Sequence, residues 1–177
     1  MFLTGDLTTQ IGTFALLPQL VRAVKVPVVA AGGIADSQGV AAALALGAAG
    51  VQVGTAFLCC AEATTSALHR AALKGEMRRH TAVTNLFTGR PARGIVNRLI
   101  RELGPIHPGA PEFPLAANEL APLRARAESQ GSADFSPLWA GQNPTGCRDI
   151  AAAQLVSELM AGLQAARDDA QSQRTSR

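Results

Sequence analysis

Two short apolar runs, each stopped by glycine, constrain the fold of this chain more than any other feature. VPVVAA (residues 26–31) is apolar throughout and meets Gly32-Gly33 at once, and Val51-Gln52-Val53 meets Gly54-Thr55 in the same way. A strand without polar alternation is one covered on both faces, as in a parallel sheet. Between the two runs, Asp36 or Ser37 opens a helix that continues through Val40, Ala43, Leu44 and Leu46 to a C-cap at Gly47. Ahead of them, Ile11, Phe14, Ala15, Leu17, Leu20, Val21 and Val24 recur at three- and four-residue spacing, which predicts a helix over 7–25. Thr8 or Thr9 is its expected cap, and Pro18 its expected kink or first turn. After the second run, AFLCC is apolar and residues 64–74 read as helix. The order helix, strand, helix, strand, helix predicts an α/β fold with parallel strands. Twenty-four residues separate Val28 from Gln52, close to the ~30 residues per βα unit of an eight-unit barrel.

The character changes after residue 75. Residues 76–93 read as irregular, 94–103 as helix, and 104–118, which hold the turn-marking Pro105, Pro108, Gly109, Pro111 and Pro114, as a long surface excursion. A short helix is expected at 119–128, a turn at Asn143-Pro144-Thr145-Gly146, a helix over 149–165, and a polar, flexible tail over 168–177. No internal repeat is visible.

Composition narrows the function classes. Hydrophobic residues make up 47% of the 177 and charged residues 16%, the balance of a globular domain with a core. No apolar run reaches the ~18 residues of a membrane span, and MFLTGDLTTQ lacks the build of a secretory signal, so a cytoplasmic protein with no membrane partner is expected. The net charge of +3 comes with only 4% aromatics. Nucleic-acid readers interleave basic and stacking residues, so a solvated basic face is the better reading and no nucleic-acid partner is expected. Cys59, Cys60 and Cys147 show no zinc-type spacing, and His69, His80 and His107 stand apart from one another. They read as core thiols and surface histidines, with no metal site.

The chemistry is expected at AAGGIAD (30–36) and GVQVGTAF (50–57). Each lies at the C-terminal end of a buried strand, the end at which α/β barrels bind ligands. Glycine admits close approach of backbone to ligand, and amides at the start of a following helix attract phosphate. Two such bends side by side would set two amide clusters around one phosphate, with the Thr55 hydroxyl added.

At these residues the sequence becomes familiar. QIGTFALLPQLVRAVKVPVVAAGGIADSQGVAAALALGAAGVQVGTAFLCCAEA (10–63) resembles the C-terminal barrel segment of the nitronate monooxygenases, formerly called 2-nitropropane dioxygenases. The resemblance continues at FTGRPARGIVNRLIRE (87–102) and PLWAGQNPTG (137–146), and so covers nearly all of residues 1–165. It implies part of an FMN-binding (β/α)8 TIM barrel over 1–167, made of the C-terminal βα units with a helical and loop excursion and a C-terminal helix. It implies that Gly33 meets the FMN phosphate after one strand, and Gln52, Gly54 and Thr55 after the next, with Gly32 as neighbour. The family oxidises nitronates with O2 to carbonyl compounds and nitrite, so a small nitronate and O2 are the implied partners, homo-oligomers being allowed. Flavin-dependent enoyl-acyl-carrier-protein reductases share the AGGI and QxGT bends and form the rival expectation; a catalytically inactive fragment is a third. The family's catalytic histidine sits in a GGHRG-like stretch that would precede Met1, so no catalytic residue is assigned within the chain. With the earlier strands absent, the 26–31 edge would be open. The chain by itself is therefore expected to be poorly soluble, oligomeric or unfolded.

Other residues have plainer readings. Arg90 and Arg93 pin a loop through carbonyls, with anion contact the lesser alternative. Trp139 packs, Gln142 is a candidate to face the site, and Asp36 caps a helix.

Overall fold

The computed structural model describes residues 6–175. Along the chain run α1 (Thr13–Ala23), β1 (Val29–Ala31), α2 (Ser37–Ala45), β2 (Gly50–Gln52), a 3-10 helix (Thr55–Cys59), α3 (Ala67–Lys74), a second 3-10 helix (Glu76–Arg79), β3 (Thr81–Thr84), β4 (Ala92–Ile95), α4 (Arg98–Leu103), α5 (Ala116–Ser129) and α6 (Ala152–Thr175). These fall into two compact units. Of the described residues, the first holds Ile11–Ala63 and those from Thr145 onward; the second holds Thr64–Pro144 with those up to Gln10.

In the first unit β1 and β2 are parallel neighbours, with Val29 opposite Gly50, Ala30 opposite Val51 and Ala31 opposite Gln52. The connection between them is α2, the helix of a βαβ unit. Asp36 caps α2 by accepting from the Gly39 amide at 2.8 Å. At the other end Gly47 takes φ +96° just past the Leu46 C-cap, a turn that L side chains resist. Val40 and Ala43 of α2 pack with Leu17, Ala30, Ile34, Ala56, Cys60, Leu155 and Leu159 in one core. Leu155, Leu159 and Gly162 form the buried stripe of α6 at helical spacing. A Cβ on Gly162 would stand 2.0 Å from the Ser37 carbonyl oxygen, so glycine is what lets α6 lie against the start of α2. Replacing Asp36 with alanine is expected to lower stability by about 1 kcal/mol through loss of the cap, and serine should restore most of it; urea unfolding of the three proteins measures this.

Several expectations need correction here. Strand 26–31 shortens to three residues, and only Ala30 is buried on it: Val29 is 58% exposed and Val26 68%. Burial on both faces needs cover from more than the single parallel neighbour that β1 has among the described residues. The first helix starts at Thr13, not at residue 7. Its N-cap is Gly12, with no side-chain cap bond, while Thr8 instead turns back onto Asp6, its amide and hydroxyl both donating to the Asp6 carboxylate. Pro18 lies in the helix interior rather than its first turn. Helix α6 begins at Ala152, later than 149, and runs to Thr175, through the stretch expected to be a tail.

The second unit departs furthest. Residues 76–93, expected irregular, contain a 3-10 helix and most of an antiparallel hairpin, β3 pairing β4 from Thr81 opposite Ile95 to Thr84 opposite Ala92. Strand β4 also takes residues expected to begin a helix, so α4 starts only at Arg98. Residues 138–140 add to the β4 edge: the Ile95 amide donates to the Leu138 carbonyl at 2.8 Å and the Ala140 amide to the Arg93 carbonyl at 3.2 Å. Gly94 makes that approach possible, since a Cβ there would lie 2.9 Å from the Leu138 oxygen. Asn97, fully buried, caps α4 by accepting from the Ile100 amide at 3.3 Å, and its amide donates to the Ala133 and Ser136 carbonyls at 3.1 and 3.0 Å. Leu86, Phe87, Leu99 and Ile100 form one core cluster of this unit, which also buries Leu73, Ile95 and Leu138 fully.

Candidate functional site

The pairing of Ala31 with Gln52 means that the two glycine bends leave neighbouring parallel strands at the same end, the C-terminal one. In the first bend Gly32 and Gly33 both take positive φ, +107° and +75°, conformations that glycine adopts readily and L residues do not. The buried Ile34 and Ala35 then anchor the chain before Asp36 opens α2. In the second bend Gly54 (φ −110°, ψ −67°) leads into the 3-10 helix at Thr55, and its carbonyl accepts from the Phe57 amide at 3.0 Å.

The two bends share open space on the side where a side chain would stand, as Gly12, Gly50, Gly104 and Gly131 also do; what sets them apart is that they leave paired strands at one end. A Cβ built on Gly33 or on Gly54 meets no protein atom within 4 Å. These backbones therefore have open space where a side chain would project. Gly32 differs: a Cβ there would be 3.0 Å from the Thr13 hydroxyl, which itself donates to the Ala31 carbonyl at 3.2 Å. Gln52 is exposed and Thr55 partly so. Among the five residues singled out in the sequence, Gly33 and Gly54 thus face open space, Gln52 ends β2 between them in register, and Gly32 backs onto α1. A separate hollow of about 220 Å³ lined by Ala35, Asp36, Ser37, Thr145, Gly146 and Arg148, among others, touches none of the five. Its one arginine is paired with Glu158.

The remaining candidates lie apart from the bends. Cys59, Cys60 and Cys147 are buried thiols outside any disulfide, in keeping with the core reading. Among the described residues no three His, Cys, Asp or Glu side chains gather as metal ligands, and no helix is long and apolar enough to cross a membrane. All three histidines are in the second unit. His69 corrects the surface reading: it is half-buried, with Nε2 donating to the Trp139 carbonyl at 3.0 Å. Burial holds its pKa below the ordinary value, outweighing the opposing pull of that hydrogen bond. With the folded pKa depressed, the unfolded chain takes up a proton first as pH falls. Stability should therefore decline on acidification below about pH 6.5 and level off beneath the folded pKa. A His69→Gln variant should show a flatter profile between pH 7 and 5 in chemical denaturation. Arg93 pins the hairpin as expected, donating to the Thr81 carbonyl and hydroxyl at 3.3 and 3.1 Å, and Arg90 stacks over the Phe113 ring. Trp139 packs edge-on against Phe87, ring centroids 5.6 Å apart.

Sequence reasoning passed over Gly146 and Cys147. The first was taken as part of a turn and the second as a core thiol, yet the Cys147 thiol also donates to the Thr55 carbonyl at 3.2 Å. Nothing in the local pattern signals a contact between residues 92 positions apart.

Comparison with known proteins adds to this geometry. The model of the family described as nitronate monooxygenase matches residues 3–162. A nitronate monooxygenase of Pseudomonas aeruginosa is 42% identical over 151 residues, covering 85% of this chain and 43% of that protein. A probable nitronate monooxygenase of Staphylococcus saprophyticus is 40% identical over 156 residues, 88% of this chain and 44% of its own length. Among solved structures, the nitroalkane oxidase of Streptomyces ansochromogenes superposes with a TM-score of 0.81 at 44% identity, covering 90% of this chain and 45% of that one. FabK of Thermotoga maritima superposes at 0.69 and 29% identity, covering 95% and 53%. The chain thus spans less than half the length of these curated relatives. It carries part of such a barrel, and its described strands form two two-stranded sheets rather than a closed one.

Proposed function

This chain belongs to the nitronate monooxygenase family, and on that premise we propose that it supplies the phosphate-holding part of an FMN site in an enzyme that oxidises alkyl nitronates with O2. The carrying observation is the pair of register-matched bends with open space at Gly33 and Gly54. That space fits the group: a phosphate approaches backbone amides closely only where no Cβ intervenes. In this reading the amides of Gly33, Gly54 and Thr55, with the Thr55 hydroxyl, hold the phosphate. Gln52 lies beside it at the end of β2, and Gly32 shapes the first bend. Bound FMN supplies the redox chemistry that takes a nitronate to a carbonyl compound and nitrite. The chain's own share is to fix the anionic end of the cofactor and so orient the rest of it. No residue of the chain is given a proton-transfer role. A cytoplasmic site of action, with a small nitronate and O2 as partners, belongs to the same reading.

Purified protein should carry or take up FMN, seen as the flavin visible absorption band, and an enzyme of full family length that contains this chain should consume O2 and release nitrite when given an alkyl nitronate. Absence of flavin uptake at saturating FMN would overturn the proposal. The structural likeness to FabK, together with the shared bends, keeps one rival: reduction of an enoyl thioester by NADPH. NADPH oxidation dependent on an enoyl thioester, without nitronate-dependent O2 uptake, would select it. The higher identity and TM-score to the nitroalkane oxidase favour the first reading.

A further inference from the structure

We infer that Gly146 and Cys147 are positioning residues for the flavin phosphate, clamping the two glycine bends at a set spacing; the inference rests on the phosphate reading above. The β1–β2 ladder ends at Ala31 and Gln52, and both bends continue beyond its last rung. Segment 145–152 touches the two of them. A Cβ on Gly146 would lie 2.4 Å from the Ala35 carbonyl oxygen, at the end of the first bend, and 3.0 Å from the Ala56 Cβ, directly after Thr55 in the second. One residue without a side chain is therefore seated against both. The next, Cys147, is buried, and its thiol donates to the carbonyl of Thr55 itself.

The rest of the segment is tied down on either side. The Ile150 carbonyl accepts from the Ala61 amide at 3.1 Å, and the Glu62 carboxylate accepts from the Ala152 amide at 2.9 and 3.1 Å, where α6 begins. Helix α6 then returns to α2 at Gly162 against Ser37. The clamp is thus fixed to the element that follows the second bend and, through α6, to the helix that follows the first. A phosphate gripped by amides from two bends depends on their separation, because hydrogen bonds weaken steeply outside a window of about half an ångström. The residue that meets both bends sets that separation where the ladder no longer does.

The test compares FMN with riboflavin, which lacks the phosphate, by fluorescence titration of the full 177-residue chain, alongside thermal unfolding midpoints. Wild type should bind FMN at least about tenfold more tightly than riboflavin. Gly146→Ala, whose methyl must push the Ala35 backbone away, should lose most of that preference while riboflavin affinity stays within about twofold. Cys147→Val should weaken FMN roughly threefold and riboflavin not at all, and Cys147→Ser, which keeps a donor, should restore the wild-type ratio. A merely structural role would lower both affinities together with the unfolding midpoint. Parallel loss for both ligands, or an unchanged FMN preference in the variants, overturns the clamp. If Gly146→Ala fails to fold, the Cys147 pair decides. A wild type that does not prefer FMN overturns the phosphate reading itself, and the clamp with it, before any variant is compared.

Discussion

With the phosphate held as proposed, leucine in place of Gly54 is expected to abolish FMN binding and to leave the fold intact. The backbone there is at φ −110°, outside the left-handed region, so an L side chain is admitted without strain. No protein atom lies within 4 Å of the added Cβ, so the side chain starts into open space instead of a packed wall. Removing a glycine also reduces the freedom of the unfolded chain, a small stabilising term. The thermal midpoint is therefore expected to move by no more than about 3 °C. FMN affinity should fall by at least about 100-fold, because the side chain takes the place of the phosphate against the amides. Gly33 is a less clean probe, since its φ of +75° would strain any replacement and mix folding with binding. Equilibrium titration with FMN, paired with a melting curve, reads both quantities. A Gly54→Leu protein that binds FMN as wild type does would place the cofactor elsewhere.

The largest stability effect is expected in the second unit, at Asn97. Its side chain serves three partners from a fully buried position: the Ile100 amide, as helix cap, and the carbonyls of Ala133 and Ser136. Alanine removes the cap, worth about 1 kcal/mol, and takes a donor from the buried Ser136 carbonyl and from the Ala133 carbonyl, which still accepts from the Ser136 amide, together at about 2–4 kcal/mol. Loss of about 3–5 kcal/mol follows, enough to unfold a unit of ordinary marginal stability. Aspartate separates the two contributions. It caps helices as well as asparagine does, but offers acceptors where Ala133 and Ser136 need a donor. Asn97→Asp should therefore be nearly as damaging as Asn97→Ala. Amide hydrogen exchange across α4 and the β3–β4 hairpin measures both variants; a near-wild-type Asn97→Asp would mean that the cap alone matters.

How much of this was legible in the sequence depended on range. The first unit could be read because its signals are local: apolar runs stopped by glycine, Asp36 three residues ahead of the amide it caps, Gly47 closing α2. Parallel pairing followed from the alternation of elements, and with it the placement of both bends at one end of the sheet. The hairpin at 81–95 was hidden because its strands are four residues long and its connection runs through seven residues rich in turn formers. Its third edge, at Trp139, is more than forty residues away in sequence. Burial of β1 was overread for a related reason: an apolar strand implies cover on two faces, and Val29 lacks it among the described residues. At the candidate site, Gly33 and Gly54 could be named in advance, while Gly146 and Cys147 could not. Their significance is the absence of a Cβ and the aim of one thiol, and both depend on a contact made only in the folded chain.

A crystal structure of the chain with FMN tests the central claim most directly. The account predicts phosphate oxygens within about 3.2 Å of the backbone nitrogens of Gly33 and of Gly54 or Thr55, both bends contributing to one phosphate. Flavin bound with its phosphate away from either bend, held by one bend alone, or reaching into solvent would contradict it.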